Sequence, residues 1–469
     1  MAAETKKAKL VVVGAGPGGY VAAIRAAQIG EGVVLVEKEL LGGTCLNWGC
    51  IPTKALLACT EALETIRDAG EFGIKVADPI PDLKVMVERK EKISAQLRKG
   101  VEQLLKANKV EVVKGTASLA SPNQVKVDTE EGEKLIDAEK VILATGSEPA
   151  RLPTFDFDQP AILTSTEGLE LTEIPKSMII VGSGVVGSEF ATIYNGLGTN
   201  VTMVELMPRI LPTEDDRVSQ QMKRILGKKG IEILTETTID EMLEYRPDGV
   251  KAKLSTGDIL EADKLLVSIG RALNSEGLGL EEAGVELGKR KEIVVNERME
   301  TSAPGIYAIG DVVGGVLLAH VASAEGICAA ENAMGMDSTI DYNVVPACIF
   351  TEPEIASVGL TPSKAEEQGT ETRIGRFMFG GLGKALAMGK GQGFIQLVVD
   401  ASSDKIIGCQ IMSAHASDLI HELALAIQMG ITADQLGRTI HAHPSLAEAV
   451  MEAAEAAHNR AIHAAPARK

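Results

Sequence analysis

A glycine turn occurs twice in this chain, each time in the same setting. Leu10–Glu37 reads LVVVGAGPGGYVAAIRAAQIGEGVVLVE and Met178–Glu205 reads MIIVGSGVVGSEFATIYNGLGTNVTMVE. Each is an apolar strand, a G-x-G-x-x-G turn, a helix, a second apolar strand and a terminal Glu. The first glycine precedes the Glu by 23 residues in both copies, Gly14 to Glu37 and Gly182 to Glu205. LIDAEKVILATG (135–146) and ILEADKLLVSIG (259–270) extend the match, each read as an acidic-Ala-acidic-Lys turn feeding a buried strand that ends in Gly. A repeat of this length implies two similar domains in series.

A single G-x-G-x-x-G can be a plain strand-to-helix connection. Two copies, each with an acid at the same distance, point to dinucleotide binding. Gly14 and Gly182 permit the tight turn, Gly16 and Gly184 let backbone approach a pyrophosphate, and Gly19 and Gly187 let helix and strand pack closely. The helix N-terminus offers N–H groups and partial positive charge to the anion. Glu37 and Glu205 are expected to bind ribose hydroxyls. A carboxylate repels a 2′-phosphate, so the second site is expected to prefer NAD to NADP, with Arg209 the nearby cation that tempers this.

At about 100–200 residues per domain, 469 residues imply about three domains. Aromatics are only 3% and glycines number 48, which fits an α/β protein better than a sandwich. A formal net charge of −18 argues against nucleic acid or an anionic membrane as main partner. The apolar run from Leu10 is broken by Gly14, Gly16 and Pro17, well short of the ~20 residues of a membrane span. The start, MAAETKKAKL, lacks a small-residue cleavage site after an apolar segment. The expectation is a cytoplasmic chain, or one of an organelle matrix.

Residues 42–54 read GGTCLNWGCIPTK. Two cysteines this close suit a metal clip, a structural bridge, a redox pair or chance. A metal needs about four ligands. Cys59 is the only other cysteine in the first half, and no His precedes His320, so no metal is expected. Six cysteines are not a disulfide framework. Gly42, Gly43 and Gly49 suggest backbone held close to something. Pro52 suits the first turn of a helix that TKALLACTEALETI continues, which places Cys50 near a helix N-terminus, where a thiolate is stabilised. Cys59 is half a turn out of phase and reads as packing. A thiol pair beside a nucleotide site suggests dithiol–disulfide exchange. NAD takes a hydride, which thiols alone do not give readily, and a flavin bridges the two chemistries. FAD is therefore expected at the first site and NAD at the second.

GGTCLNWGCIPTK resembles the redox-active motif of the flavin-dependent pyridine nucleotide–disulfide oxidoreductases. The resemblance covers nearly the whole chain, including VVVGAGPGGYVAAIRAAQIG, ILATGSEP, VVGSGVVGSEFA, IYAIGDV, TEPEIASVG and HAHPSLAE. Within the family it points to members that reoxidise dihydrolipoyl groups as a shared subunit of 2-oxo acid dehydrogenase and glycine cleavage complexes. It implies that Cys50 is the thiol nearest the flavin, Cys45 the interchange thiol that meets the substrate, and Lys54 a flavin neighbour paired with Glu189. It implies FAD contacts from Gly115, Thr145, Gly146 and Ser147, a ribityl contact from Asp311, a flavin-side segment Leu317, Leu318, Ala319 and His320 opening a helix, and an NAD contact from Gly270. Thr53, Trp48 and Lys384 depart from the family pattern without touching this chemistry.

On spacing alone, Ser445-x-x-Glu448 before an apolar helix is a capping box. The resemblance makes His443 the general acid–base for the substrate thiol and Glu448 its orienting partner, and the two readings are compatible. It further implies an obligate homodimer in which each His443 serves the other subunit's cysteines, with lipoyl domains of acyltransferase or glycine-cleavage carrier subunits as partners. The rivals are a glutathione- or mercury-type reductase and a flavin redox sensor that does not turn over. Of the two reductases, the glutathione type prefers NADP and carries Arg where Glu205 and its neighbours lie, and the mercury type ends in paired cysteines, which the C-terminal stretch here lacks.

The expected fold is α/β, with two Rossmann-like FAD/NAD-binding domains of three-layer ββα type and an α+β C-terminal dimerisation domain. The FAD domain is expected at 1–150 and 275–345, the NAD domain at 151–274 and the interface domain at 346–469. LAEAVMEAAEAAHNRAIHAA is expected to form the final helix, followed by a frayed tail.

Overall fold

The computed structural model describes residues 5–465. Residues 1–4, the start of the MAAETKKAKL stretch, and 466–469, the end of the tail, lie outside the described residues. The chain divides into two compact units, Met1–Pro153 with Thr164–Glu173 and Ile269–Asp341, and Thr154–Leu163 with Ile174–Ser268 and Tyr342–Lys469.

The first unit begins with β1 (Thr5–Val13), α1 (Pro17–Ile29) and β2 (Val33–Glu37). A short helix α2 (Gly43–Asn47), a long α3 (Cys50–Arg67) and α4 (Leu83–Ala107) follow. Then come β3 (Glu111–Lys114), β4 (Thr116–Ser121), β5 (Gln124–Thr129), β6 (Gly132–Leu143) and β7 (Ser147–Pro149). Strands β3, β2, β1 and β6, with Ile306–Ala308 beyond β6, form a parallel sheet. Alternate residues point to opposite faces. Leu10, Val12, Val33, Leu35 and Ile142 pack against Ala22, Ala23 and Ala26 of α1, Leu105 of α4 and Ala329 of the helix Ala319–Ala333. Val11, Val13, Val34, Val36 and Val141 pack against Ala117, Leu119, Val125 and Val127 of the antiparallel strands β4 and β5. Burial on both faces explains why β1 and β2 read as continuous apolar runs. These layers are the expected ββα arrangement.

The second unit repeats the theme. Glu232–Leu234, Asn200–Val204, Ser177–Val181, Lys264–Val267 and Ile162–Leu163 form a five-stranded parallel sheet. An antiparallel meander runs Ile239–Arg246, Gly249–Leu254, Ile259–Ala262. The C-terminal part is an antiparallel five-stranded sheet, and the helices Ala416–Gln428 and Glu448–Ala456 bury Ile420, Leu423, Val450 and Ala453 on it. Among the described residues no helix is long and apolar enough to cross a membrane.

Two local expectations are corrected. DAEK in the first repeat is not a turn but the middle of β6, because β1 is nine residues long and pairs with it from Leu135 to Leu143. In the second repeat the matching strand Ser177–Val181 has five residues, and the chain bends at Asp263, whose carboxylate accepts from Lys176 N–H at 2.7 Å. The final helix covers only Glu448–Ala456 of the expected stretch. Asn459 adopts a left-handed conformation (φ 58°) and Arg460 N–H returns to Glu455 O at 2.9 Å, which ends the helix. Glu452 then holds the backbone N–H groups of Ile462 and His463.

Candidate active site

The two glycine turns are built alike. A Cβ on Gly19 falls 1.8 Å from Gly14 O, and one on Gly187 falls 2.0 Å from Gly182 O, so only glycine lets each helix sit on its strand. A Cβ on Gly16 or Gly184 meets nothing within 4 Å. That open space lies at the N-termini of α1 and of the helix Val185–Leu197, where an anion is favoured. The terminal acids are locked in the same way. Glu37 Oε2 accepts from Ala15 N–H at 2.7 Å and Oε1 from Glu39 N–H at 2.8 Å. Glu205 Oε2 accepts from Ser183 N–H at 2.7 Å and Oε1 from Met207 N–H at 2.8 Å. A carboxylate has about four acceptor sites; Glu37 keeps capacity for both hydroxyls of a ribose diol, whereas Glu205, which also accepts from Ser183 Oγ at 2.7 Å, keeps capacity for one. Arg209 is committed elsewhere: it pairs with Asp216 and donates to Pro212 O at 2.9 Å.

Thr145, Gly146 and Ser147 leave β6 toward β7, which pairs antiparallel with Arg271–Leu273. The sequence reading missed Arg271 and Asn274. Thr145 Oγ1 donates to Asn274 O at 2.7 Å, and Asn274 Nδ2 returns to Thr145 O at 3.0 Å. Arg271 donates to Ser147 Oγ at 2.5 Å and to Ser147 O at 2.7 Å, and the Ser147 hydroxyl donates to Asp311. Buried Glu325 accepts from Gly310 N–H at 2.6 Å, fixing the residue before Asp311. The only sequence signal was the position of GRALN directly after the second repeat. Gly115 N–H donates to Glu37 O at 3.0 Å, tying it to the first ribose acid. Gly270 lies at the return of the chain into the first unit, where its carbonyl accepts from Ala150 N–H at 3.0 Å. Leu317 and Leu318 precede the helix that starts at Ala319 with His320 second, so a helix N-terminus does open at the expected segment.

The cysteine segment lies against the first glycine turn. Gly42 N–H donates to Ala15 O at 2.8 Å, and a Cβ on Gly43 falls 2.7 Å from Gly16 Cα, which is why two glycines stand here. Cys45 is on α2 and Cys50 opens α3 as its first residue. The two are not joined by a disulfide and are hydrogen-bonded to each other. The bond to Cys50 pushes the Cys45 thiol far above its ordinary range, burial and the charge of Cys50 add to this, and the Lys54 ammonium opposes it. Cys59 donates to Ala55 O at 3.2 Å within its own helix, consistent with packing. Among the described residues no group of three or more His, Cys, Asp and Glu side chains is placed to hold a metal ion.

His443 and Glu448 are brought together in the second unit. His443 Nδ1 lies 2.8 Å from Glu448 Oε1, and Ser445 N–H donates to Glu448 Oε2 at 2.9 Å. Those two contacts, Ser445 first, hold the Glu448 carboxyl below its usual range. The capping box is only half formed. Glu448 reaches back as expected, but the Ser445 hydroxyl is buried without a partner, and the helix begins at Glu448 rather than beside Ser445. His441 Nε2 is held by Glu422 at 2.9 Å and its ring is buried, whereas the His443 ring is 78% exposed and reachable. Buried Glu189 accepts from Phe350 N–H at 3.0 Å.

Residues 8–326 match the family described as pyridine nucleotide-disulphide oxidoreductase, and residues 345–454 match its dimerisation domain. A dihydrolipoyl dehydrogenase of Chlamydia muridarum is 44% identical, covering 98% of each chain. One of Thermus scotoductus is 44% identical over 97% of this chain and 98% of its own, and a mitochondrial one of Pisum sativum is 40% identical over 97% and 92%. Among solved structures, LpdA of Mycobacterium tuberculosis superposes with a TM-score of 0.89 at 29% identity, covering 96% of this chain and 99% of its own. The flavoprotein disulfide reductase RclA of Escherichia coli, solved as a Cu(II) complex, gives 0.88 at 26% over 96% and 99%. Proteins of this family use FAD and NAD(H), and the paired cradles and ribose acids fit both groups. The chain belongs to the pyridine nucleotide–disulphide oxidoreductase family.

Proposed function

We propose that the chain reoxidises protein-bound dihydrolipoyl groups with NAD⁺ through a Cys45–Cys50 disulfide and FAD, the activity for which its relatives are named. The observation that carries this reading is the Cys45–Cys50 pair, hydrogen-bonded at the start of α3 and packed against the first glycine turn. FAD is assigned to Gly14, Gly16, Gly19, Glu37, Lys54, Gly115, Thr145, Gly146, Ser147, Asp311 and the 317–320 segment. NAD is assigned to Gly182, Gly184, Gly187, Glu205 and Gly270, and Glu189 keeps the flavin-side role that the resemblance implies for it. When bound, FAD supplies a two-electron acceptor that hands a hydride to NAD⁺.

The protein's own part is proton and sulfur chemistry. Glu448 holds His443 Nδ1, which leaves Nε2 to take the proton of a substrate thiol. The thiolate attacks Cys45 Sγ, forming a mixed disulfide while the Cys45–Cys50 bond breaks and its electron pair goes to Cys50. The second substrate thiol closes the lipoyl disulfide by attacking the mixed bond, and its proton passes to the departing Cys45. One proton then rests on His443 and one on Cys45, and the negative charge on Cys50 is stabilised by the N-terminus of α3. Loss of the His443 proton to solvent completes the half-reaction.

The substrate is carried by lipoyl domains of acyltransferase or glycine-cleavage subunits, His443 serves the cysteines of a second copy, and the protein works in the cytoplasm. The working division is 1–150 with 275–345, 151–274 and 346–469. Commitment of Glu205 to Ser183 and Met207 and of Arg209 to Asp216 favours NAD over the NADP of glutathione-type reductases. The reading is tested by mixing the FAD-loaded protein anaerobically with dihydrolipoamide. Rapid two-electron reduction with long-wavelength absorbance, lost in Cys50→Ser, is expected. A wild-type flavin that NADH reduces and dihydrolipoamide does not would leave the redox-sensor reading in its place.

A further inference from the structure

Asn47 lies between the two cysteines, and among residues 44–50 it alone is buried, at 6% exposure. Its side chain is fully engaged. Nδ2 donates to Gly43 O at 2.8 Å and to Leu41 O at 3.1 Å, which closes the Cys45 turn onto its own entry. Oδ1 accepts from Nη1 of Arg98 at 2.7 Å, in α4, far along the chain. The turn thus tied has little stability of its own. A five-residue helix is too short to hold itself. Gly42, Gly43 and Gly49 add backbone freedom that must be lost on ordering. A charged donor on a long helix is a firm external anchor for such a turn.

We propose that Arg98, acting through Asn47, is a positioning residue for the redox pair: it holds the Cys45 turn in one conformation whether the cysteines are bonded or open. This rests on the reading of Cys45 and Cys50 as the redox couple. When their bond opens, nothing covalent keeps the two sulfurs adjacent, and their effective concentration for re-forming it depends on how tightly the backbone is fixed. Loosening the turn lowers that concentration, so the disulfide becomes easier to reduce. The exchange that reads this is balanced: Cys45–Cys50 disulfide plus dihydrolipoamide gives the enzyme dithiol plus lipoamide.

The FAD-loaded enzyme is equilibrated anaerobically with mixtures of lipoamide and dihydrolipoamide, and reduction is followed by the flavin spectrum. Arg98→Ala is expected to reach half-reduction at a lipoamide-to-dihydrolipoamide ratio about three to ten times higher than wild type, tenfold being about 30 mV for this two-electron couple. Asn47→Asp, which keeps the acceptor for Arg98 but loses both Nδ2 donors, is expected to shift the ratio the same way, and Arg98→Lys to restore most of it. A purely structural Arg98 would lower the thermal midpoint or FAD content and leave the ratio unmoved. An FAD-loaded Arg98→Ala that titrates with wild type overturns the proposal. If that variant does not fold, Arg98→Gln decides by the same ratio: a shift sustains the proposal and none overturns it. If the wild type is not reduced by dihydrolipoamide at all, it is the redox-pair reading that has failed.

Discussion

Three side chains, His443, Glu448 and Glu205, carry the proposed proton and cofactor chemistry, and each is held by backbone N–H groups or a neighbour. Glu448 orients His443, so His443→Gln is expected to slow reduction by dihydrolipoamide by about 10²–10⁴-fold, with NADH reduction of the flavin unchanged, as stopped-flow absorbance would record. The depressed Glu448 carboxyl also makes a pH prediction. A carboxylate whose folded value is lowered contributes stability that is complete above its unfolded value, about 4.3. That contribution fades as pH falls through the folded value. Thermal midpoints of wild type and Glu448→Gln should differ near neutral pH and converge in acid; a gap that widens in acid would contradict this sign. In the second cradle, Glu205→Ala removes the charge that repels a 2′-phosphate, and the NAD⁺ over NADP⁺ ratio of kcat/KM is expected to fall by about tenfold or more.

At the scale of elements, the strand–turn–helix units explain what the sequence disclosed. Gly187→Ala places a methyl 2.0 Å from Gly182 O, and the overpacking is expected to cost about 1–3 kcal/mol. The loss should fall on NADH reactivity while FAD content stays near wild type, checked by flavin absorbance per protein and by NADH reduction. The two units were legible because their signals are local: a glycine spacing, two apolar strands and an acid at a fixed distance. The start of α3 was legible for the same reason. Contacts across long stretches of chain were not. Arg98 meets Asn47, and Arg271 meets Ser147 and Asp311, only because the topology brings them there, and nothing in their neighbours marks them. DAEK (137–140) and EADK (261–264) look alike yet fold differently, since the length of the paired strand decides whether the chain bends, and that belongs to the partner rather than to the motif. Ser445-x-x-Glu448 shows a matching limit: the pattern identified a carboxylate that turns back, but its second oxygen meets His443, a contact that capping chemistry does not predict.

For the whole molecule, Cys45 and Cys50 belong to one compact unit of the chain and His443 to the other, and residues 345–454 match a dimerisation domain. The proposed composite sites make a complementation test decisive. Cys45→Ser and His443→Gln chains, each inactive alone, are unfolded together and refolded at equal amounts. A two-fold dimer with composite sites yields one intact site in each mixed dimer, or about a quarter of wild-type activity at random pairing. Sites built within one chain would yield none. The account as a whole stands on the identity of the dithiol and the nucleotide. Its most direct test is the steady-state rate of one FAD-loaded preparation with dihydrolipoamide and NAD⁺ against glutathione disulfide and NADPH. The account predicts a kcat/KM for the first pair at least about a hundredfold above the second; comparable rates, or a preference for glutathione disulfide and NADPH, would contradict it.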